Sequence, residues 1–180
     1  HPLFNPDGTQ ISGAGERVVG EKEIYDMTLG DKSVGDEKRY KYVGGKNAWN
    51  ALVAGNAGAD ADNDGLDDPW LLIQDRKEFQ KYIKGETPKR VAGIFKSGQS
   101  SQVERINSAN SRIPFESPLN EEVPTLAEMT LAAINILVNN PNGFVLMSEG
   151  GAIDWVAHSN LLHSTIEEQI DFNNSIEAAC

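Results

Sequence analysis

The amino-acid sequence predicts an α/β fold, a layer of strands and helices joined by long loops. Three segments support this prediction. Residues 125–137 carry apolar side chains at helical spacing, residues 144–147 form the continuous apolar run of a strand buried on both faces, and residues 164–176 again follow helical spacing. Helix, buried strand, polar loop and helix in this order are typical of an α/β sheet.

Capping residues predict where the two helices begin. Thr125 is followed three residues later by Glu128, the pattern of a capping box in which each side chain accepts a hydrogen bond from an amide of the first turn. Ser164 and Thr165 are each followed three residues later by a glutamate, so either of them predicts the start of the second helix.

The preceding part of the chain contains shorter elements. Residues 41–43 predict a short strand, and a short helix follows through Trp49. Residues 77–84 have apolar side chains on one helical face, and residues 90–95 read as a buried strand. Residues 97–120 are rich in Ser, Asn, Gln and Pro and predict a long surface loop.

Composition and charge exclude several classes of protein. Hydrophobic residues make up 39% of the 180 residues and charged residues 24%, which is typical of a globular chain rather than a disordered or fibrous one. No stretch approaches the roughly 18 consecutive apolar residues that a membrane helix needs, so we expect no membrane partner. The net charge of -11 argues against a nucleic-acid partner, because phosphate backbones require clustered lysine and arginine.

The two ends of the sequence add two expectations. Cys180 is the single cysteine, which excludes an internal disulfide. The N-terminal residues have neither the basic flank nor the apolar core of a signal peptide, and the first residue is not methionine. We therefore expect the natural start to lie upstream or to have been removed.

Residues 148–158 are the most informative stretch for chemistry. Ligands in open α/β sheets bind just beyond the carboxyl ends of strands, and the predicted strand at residues 144–147 delivers Glu149 to that position. Asp154 and His158 are four residues apart and share one face of a helical turn. A carboxylate and an imidazole that converge suit Zn²⁺, with Glu149 at the same ion or at a second cation beside it. The alternative is an ordinary surface pair, and the spacing alone does not decide between the two.

The motif Glu-Gly-Gly-x-Ile-Asp-x-x-x-His after an apolar strand resembles the alkaline phosphatase family. The residues that lead to it are similar as well, both at 124–130 before the helix and at 140–144 after it. The strand at residues 90–95 and the helix after His158 also fit. The resemblance covers residues 77–180 of the chain.

The resemblance implies a domain organisation. Residues 77–180 correspond to an α/β part of the phosphatase core that carries metal ligands, and this part is incomplete relative to the full domain of the family. Residues 1–76 correspond to a variable, loop-rich insert region.

The resemblance also implies the roles of three residues. It assigns Glu149 to Mg²⁺, and Asp154 and His158 to one of two catalytic Zn²⁺ ions. No residue of this chain matches the serine nucleophile, the phosphate-binding arginine or the other zinc ligands of the family, so we expect these before His1 and after Cys180. The implied function is that of a fragment of a metal-dependent phosphomonoester hydrolase, inactive alone, from a periplasmic or extracellular enzyme.

Some features depart from the family or leave other functions open. Trp155 stands where some relatives carry another residue, and His163 has no counterpart and is interpreted as structural. One alternative is a related phosphodiesterase or sulfatase-like hydrolase, and another is a non-catalytic extracellular calcium-binding module. A fragment would also expose apolar surface, which predicts a homodimer.

A second candidate cation site lies in the loop at residues 60–68. Alternate aspartates with a glycine at the sixth position match the front of a calcium-binding loop. The candidate ligands are Asp60, Asp62, Asp64 and Asp68. Leu71 replaces the acidic residue expected at the twelfth position, and clear helices do not flank the loop, so it is not an EF-hand. Two interpretations remain, a Ca²⁺ ion that orders the loop and a merely acidic surface loop.

Overall fold

The computed structural model describes residues 3–4, 10–11, 40, 43–95, 105 and 113–180. The strands in these ranges are short: β1 (Leu3–Phe4), β2 (Gln10–Ile11), β3 (Leu71–Ile73) and β4 (Val91–Gly93). The helices are α1 (Lys46–Val53), α2 (Arg76–Lys81), α3 (Leu126–Leu137), α4 (Gly151–His158) and α5 (Leu162–Ala179). None of the described helices combines the length and the hydrophobicity that a membrane span requires.

Strands β3 and β4 form a parallel pair that is joined through helix α2. Leu71 lies opposite Val91, and Ile73 lies opposite Gly93. Parallel neighbours require a crossover connection, usually a helix, and α2 supplies it. This β-α-β unit confirms the predicted α/β class. Strands β1 and β2 form a separate antiparallel pair.

The two faces of the β3–β4 pair contact different hydrophobic clusters. Ile73 packs with Phe79 of α2 and Ala132 of α3. Its neighbour Leu72 packs against the cluster around Trp49 of α1, because successive side chains of a strand point to opposite faces. The pair therefore lies between helices on both faces, which is the layered arrangement of an α/β domain.

Local sequence patterns predicted most of the helices correctly. Helices α1 and α2 occupy their predicted positions, and α3 begins at the predicted capping box. The amide of Thr125 donates to the Glu128 carboxylate at 2.9 Å, and the amide of Glu128 donates to the Thr125 hydroxyl at 3.2 Å. The predictions for residues 41–43 and 97–120 fall largely outside the described residues.

The strand predicted at residues 144–147 is not formed. The segment has no regular structure, and no described strand pairs with it. Val145 is 96% exposed and Met147 is 85% exposed, so the apolar run is not buried either. A strand depends on hydrogen bonds and cover from neighbouring strands, and an apolar sequence supplies neither. The prediction was therefore wrong for this segment in the described structure.

The start of α5 also differs from the prediction. The helix begins at Leu162, with Leu161 at the N-cap and no side-chain cap. Ser164 is buried inside the first turn, and the hydroxyl of Thr165 donates to the Leu161 carbonyl at 3.0 Å. Neither residue caps the helix, because both lie inside it.

Candidate metal sites

Helix α4 places Asp154 and His158 side by side on its outer face. The opposite face of α4 is held by Ala152 and Val156, which are buried and pack against Leu161. The Asp154 Oδ1 atom lies 3.5 Å from the His158 Nε2 atom, and the two side chains are 74% and 80% exposed. The predicted placement on one helical face is confirmed, whereas the roles as metal ligands stay predictions.

The donor chemistry of this pair fits a zinc ion. Zinc in proteins takes carboxylate oxygen and imidazole nitrogen at about 2.0–2.2 Å in a tetrahedral arrangement, which separates neighbouring ligand atoms by roughly 3.3 Å. The separation of 3.5 Å between Asp154 and His158 agrees with that spacing. Two ligands form half of a tetrahedral shell.

Glu149 lies before α4 and lines a separate cavity. This cavity has a volume of about 210 Å³ and is lined by Glu149, by the two glycines that follow it, and by Glu168 and Asp171 of α5. Among the described residues, Glu149 does not converge with Asp154 and His158 into a group of three close ligand atoms. Its assignment to Mg²⁺ stays a prediction.

The cavity borders a buried cluster of charged side chains. The Nε atom of Arg105 lies 3.1 Å from Glu168 Oε1 and 3.4 Å from Glu167 Oε2, and all three residues are at most 5% exposed. The amide of Phe115 donates to Glu167 Oε1 at 2.6 Å. Burial raises the pKa of Glu168 to about 7, although the Arg105 guanidinium opposes the rise. Burial also raises the pKa of Asp171.

Sequence reasoning missed this cluster. It interpreted the two adjacent glutamates as partners of a helix cap, whereas their partner Arg105 lies 63 residues before Glu168. Such a partner cannot be recognised from local spacing. The sequence contains no local signal for it, because the start of the helix at Leu162 is known only from the structure.

The loop at residues 60–68 gathers most of its predicted ligands. Ligand atoms of Asp60, Asp62 and Asp68 all lie within 4.8 Å of one another, and no other such group occurs in the described part of the chain. Asp60 accepts hydrogen bonds from the amides of Asp64 at 3.1 Å and Gly65 at 2.9 Å. Gly65 has a φ of 89°, the left-handed conformation that a tight turn requires. The loop is therefore closed around its own carboxylates.

A lysine side chain contacts three of the four aspartates of this loop. The Nζ atom of Lys89 lies 2.9 Å from Asp68, 3.0 Å from Asp62 and 3.7 Å from Asp64. The hydrogen bond from Lys89 is the main reason why the pKa of Asp68 lies below its ordinary value, and the same bond raises the pKa of Lys89. The carboxylates thus have a cation available within the chain, and a metal ion would compete with it.

Comparison with known proteins identifies the family. The sequence profile described as alkaline phosphatase matches residues 20–180. The chain belongs to the alkaline phosphatase family. The match begins well before residue 77, so it includes most of the region that local motifs left unassigned.

Individual alkaline phosphatases are similar over parts of the chain. Alkaline phosphatase 3 of Bacillus subtilis is 29% identical over 110 residues, which cover 61% of this chain and 20% of that protein. The membrane-bound alkaline phosphatase of Bombyx mori is 43% identical over 56 residues, 31% of this chain and 10% of that protein. The human tissue-nonspecific isozyme is 29% identical over 127 residues, 64% of this chain and 22% of that protein. The chain thus spans about a fifth or less of the length of these relatives.

Membership of the alkaline phosphatase family bears on both candidate sites. Asp154, His158 and Glu149 all lie within the matched residues, as does the acidic group of the loop.

Proposed function

We propose that this chain is the part of an alkaline phosphatase that supplies Asp154 and His158 to a zinc ion and Glu149 to a magnesium ion. The observation that carries the proposal is the Asp154–His158 pair, whose donor atoms lie 3.5 Å apart on an exposed helix face inside the matched region. The substrate of the parent enzyme would be a phosphomonoester.

The proposed chemistry divides between the residues and the ions. Asp154 and His158 would hold zinc, and Glu149 would hold magnesium in a supporting position. The ions, when bound, supply the positive charge that stabilises the phosphoryl oxygens during transfer. The chain itself supplies orientation, because Ala152 and Val156 fix the helix that presents the zinc ligands. Because the proposal assigns only two zinc ligands and one magnesium ligand to this chain, we propose that the chain alone does not turn over substrate.

Hydrolysis of a chromogenic phosphate monoester tests this function. The 180-residue chain and the longer product of the same gene are assayed at alkaline pH with Zn²⁺ and Mg²⁺, each with and without His158→Ala. We expect activity in the longer product alone, with loss on His158→Ala. Asn174→Ala, at an exposed position of α5, is the control and should keep activity. Full activity of His158→Ala would overturn the proposed zinc role.

The same assay separates the alternative hydrolases. A chromogenic phosphodiester and a sulfate ester, offered in parallel, should be poor substrates if the parent is a monoesterase. The resemblance to the family also leads us to propose a periplasmic or extracellular location for the parent enzyme, which fractionation of the source cells tests.

A second candidate function is calcium binding by Asp60, Asp62, Asp64 and Asp68. The convergence of three of these carboxylates within 4.8 Å favours it. We propose a structural role, in which Ca²⁺ orders the loop in place of Lys89. Such a site would belong to the phosphatase and would not require a separate calcium module.

A further inference from the structure

Three hydroxyl groups, one of them on the residue directly before Glu149, lie within hydrogen-bonding distance of one another. The Thr130 Oγ1 atom lies 2.8 Å from Ser175 Oγ and 3.2 Å from Ser148 Oγ, and the two serine hydroxyls are 3.4 Å apart. Thr130 comes from α3, Ser175 from α5 and Ser148 from the segment that leads to α4. Each hydroxyl has one proton to donate and can accept as well, so the three contacts can satisfy one another.

The two residues of this cluster that belong to helices are buried. Thr130 is 4% exposed and Ser175 is 1% exposed. A buried hydroxyl without a partner is costly, and Thr130 and Ser175 provide each other with one. The exposed Ser148 adds its hydroxyl to this buried pair and so joins its segment to both helices.

Gly150 forms a second contact on the other side of Glu149. A Cβ atom added at Gly150 would lie 3.0 Å from the ring of Phe172 and 3.1 Å from Ile153. The backbone at Gly150 therefore lies directly against α5, in a space that a larger residue does not fit without a shift. Glu149 is thus flanked by two residues that contact the same helix.

The preceding residues provide little support of this kind. Val145 and Met147 are almost fully exposed, and no described strand pairs with their segment. The hydroxyl cluster is one point at which this segment meets the helices. The position of Glu149 consequently depends on the contacts at Ser148 and Gly150.

We infer that Thr130 and Ser175 are positioning residues for Glu149, acting through the hydroxyl of Ser148. The inference rests on the proposed function, because Glu149 needs a set position only if it holds a metal ion. Ligand side chains must be held within about 0.5 Å of their productive positions, and supporting hydrogen bonds provide this precision.

Amide hydrogen exchange of the 180-residue chain tests the anchoring directly. Thr130→Val keeps the branched shape and removes the hydroxyl, whereas Thr130→Ser keeps the hydroxyl. We expect exchange at residues 148–151 to become about tenfold faster in Thr130→Val and to stay near the wild-type rate in Thr130→Ser. Ser175→Ala is a second variant with the same expected effect, for the case in which Thr130→Val does not fold.

Two results of the exchange experiment would overturn the inference. One is unchanged exchange at residues 148–151 in the variants that lack a hydroxyl, including the case in which these amides exchange freely in the wild type. The other is equal acceleration throughout α3 and α5, which would indicate a general loss of packing rather than local anchoring.

Magnesium affinity of the longer product, measured by calorimetry, separates this inference from the proposed function. We expect Thr130→Val to weaken Mg²⁺ binding by about tenfold and Thr130→Ser to restore it. Unaltered affinity in Thr130→Val would contradict the positioning role. Unaltered affinity in Glu149→Gln would instead overturn the proposed role of Glu149 as a ligand, whatever the exchange experiment shows about anchoring.

Discussion

The ammonium group of Lys89 lies 2.9 Å from the carboxylate of Asp68, inside a loop whose sequence left Ca²⁺ binding and a merely acidic surface loop as two open interpretations. Asp68 is 6% exposed, so its charge needs a partner within the protein. Lys89 provides that partner and also reaches Asp62 and Asp64. The loop can therefore be neutralised in part without a metal ion, and lysine and metal become competitors for the same carboxylates.

Removal of the Lys89 side chain should strengthen Ca²⁺ binding by the loop. In Lys89→Ala the carboxylates lose their internal cation, so we expect Ca²⁺ to bind on the order of tenfold more tightly than in the wild type. We also expect the melting temperature to fall without metal and to recover when Ca²⁺ is added, since a ligand that binds only the folded state stabilises it. Calorimetry and thermal melts with and without Ca²⁺ measure both effects.

Lys84→Ala is the control for this variant, because Lys84 is an exposed lysine outside the acidic loop. It removes the same charge from the chain and should change neither property. If Lys89→Ala does not bind Ca²⁺, the loop is an acidic surface loop whose carboxylates are paired with a lysine.

The pH dependence of stability should report the buried Glu168. Its pKa of about 7, against an ordinary value of 4.5, means that the folded protein holds a proton which the unfolded chain has released between these values. The group therefore makes the free energy of unfolding fall as pH rises through this window, by at most about 1.4 kcal/mol per pH unit. Asp171 acts in the same direction, because burial raises its pKa as well.

Glu168→Gln should flatten that profile. Urea denaturation between about pH 5 and about pH 8 gives the free energy of unfolding at each pH. Glu177→Gln, at an exposed position of the same helix, should keep the wild-type slope. A Glu168→Gln profile as steep as that of the wild type would show that Glu168 is ionised across the window.

The carboxylate of Glu128 links two helices. It caps α3 at Thr125, and it accepts hydrogen bonds from Arg76 Nε at 2.9 Å and from Gln80 Nε2 at 2.8 Å in the α2 region. We expect Glu128→Ala to lower the free energy of unfolding by about 2 kcal/mol, since a cap and a charge-assisted pair are both lost. Chemical denaturation measures the loss, and Glu122→Ala at an exposed position is the control. A loss no larger than that of the control would mean that water replaces these bonds at no cost.

We propose that the exposed apolar segment supports self-association. Val145 and Met147 are 96% and 85% exposed, and a segment of this kind can pair with another copy of itself. Sedimentation velocity should detect a homodimer that is lost when both residues are changed to lysine. Val53→Lys, at another exposed apolar position, should leave the dimer intact. A wild-type chain that stays monomeric at all concentrations would contradict the proposal.

Features that depend on neighbours in sequence could be predicted. The capping box of Thr125 and Glu128 involves residues three apart, and the shared face of Asp154 and His158 follows from a spacing of four. The convergence of alternate aspartates at residues 60–68 is likewise a property of one short loop. In each case the interacting atoms are brought together by the local path of the backbone.

Features that depend on distant partners were decided by the tertiary structure. An apolar run predicted a buried strand at residues 144–147, but burial and pairing come from other segments, and the described chain provides neither. Nothing local to Glu168 indicates Arg105, and nothing local to the aspartate loop indicates Lys89. Sequence alone therefore determined the class of fold and the candidate ligands. The tertiary structure decided which charges are buried and what neutralises them, because burial and ion pairing depend on residues that only folding brings into contact.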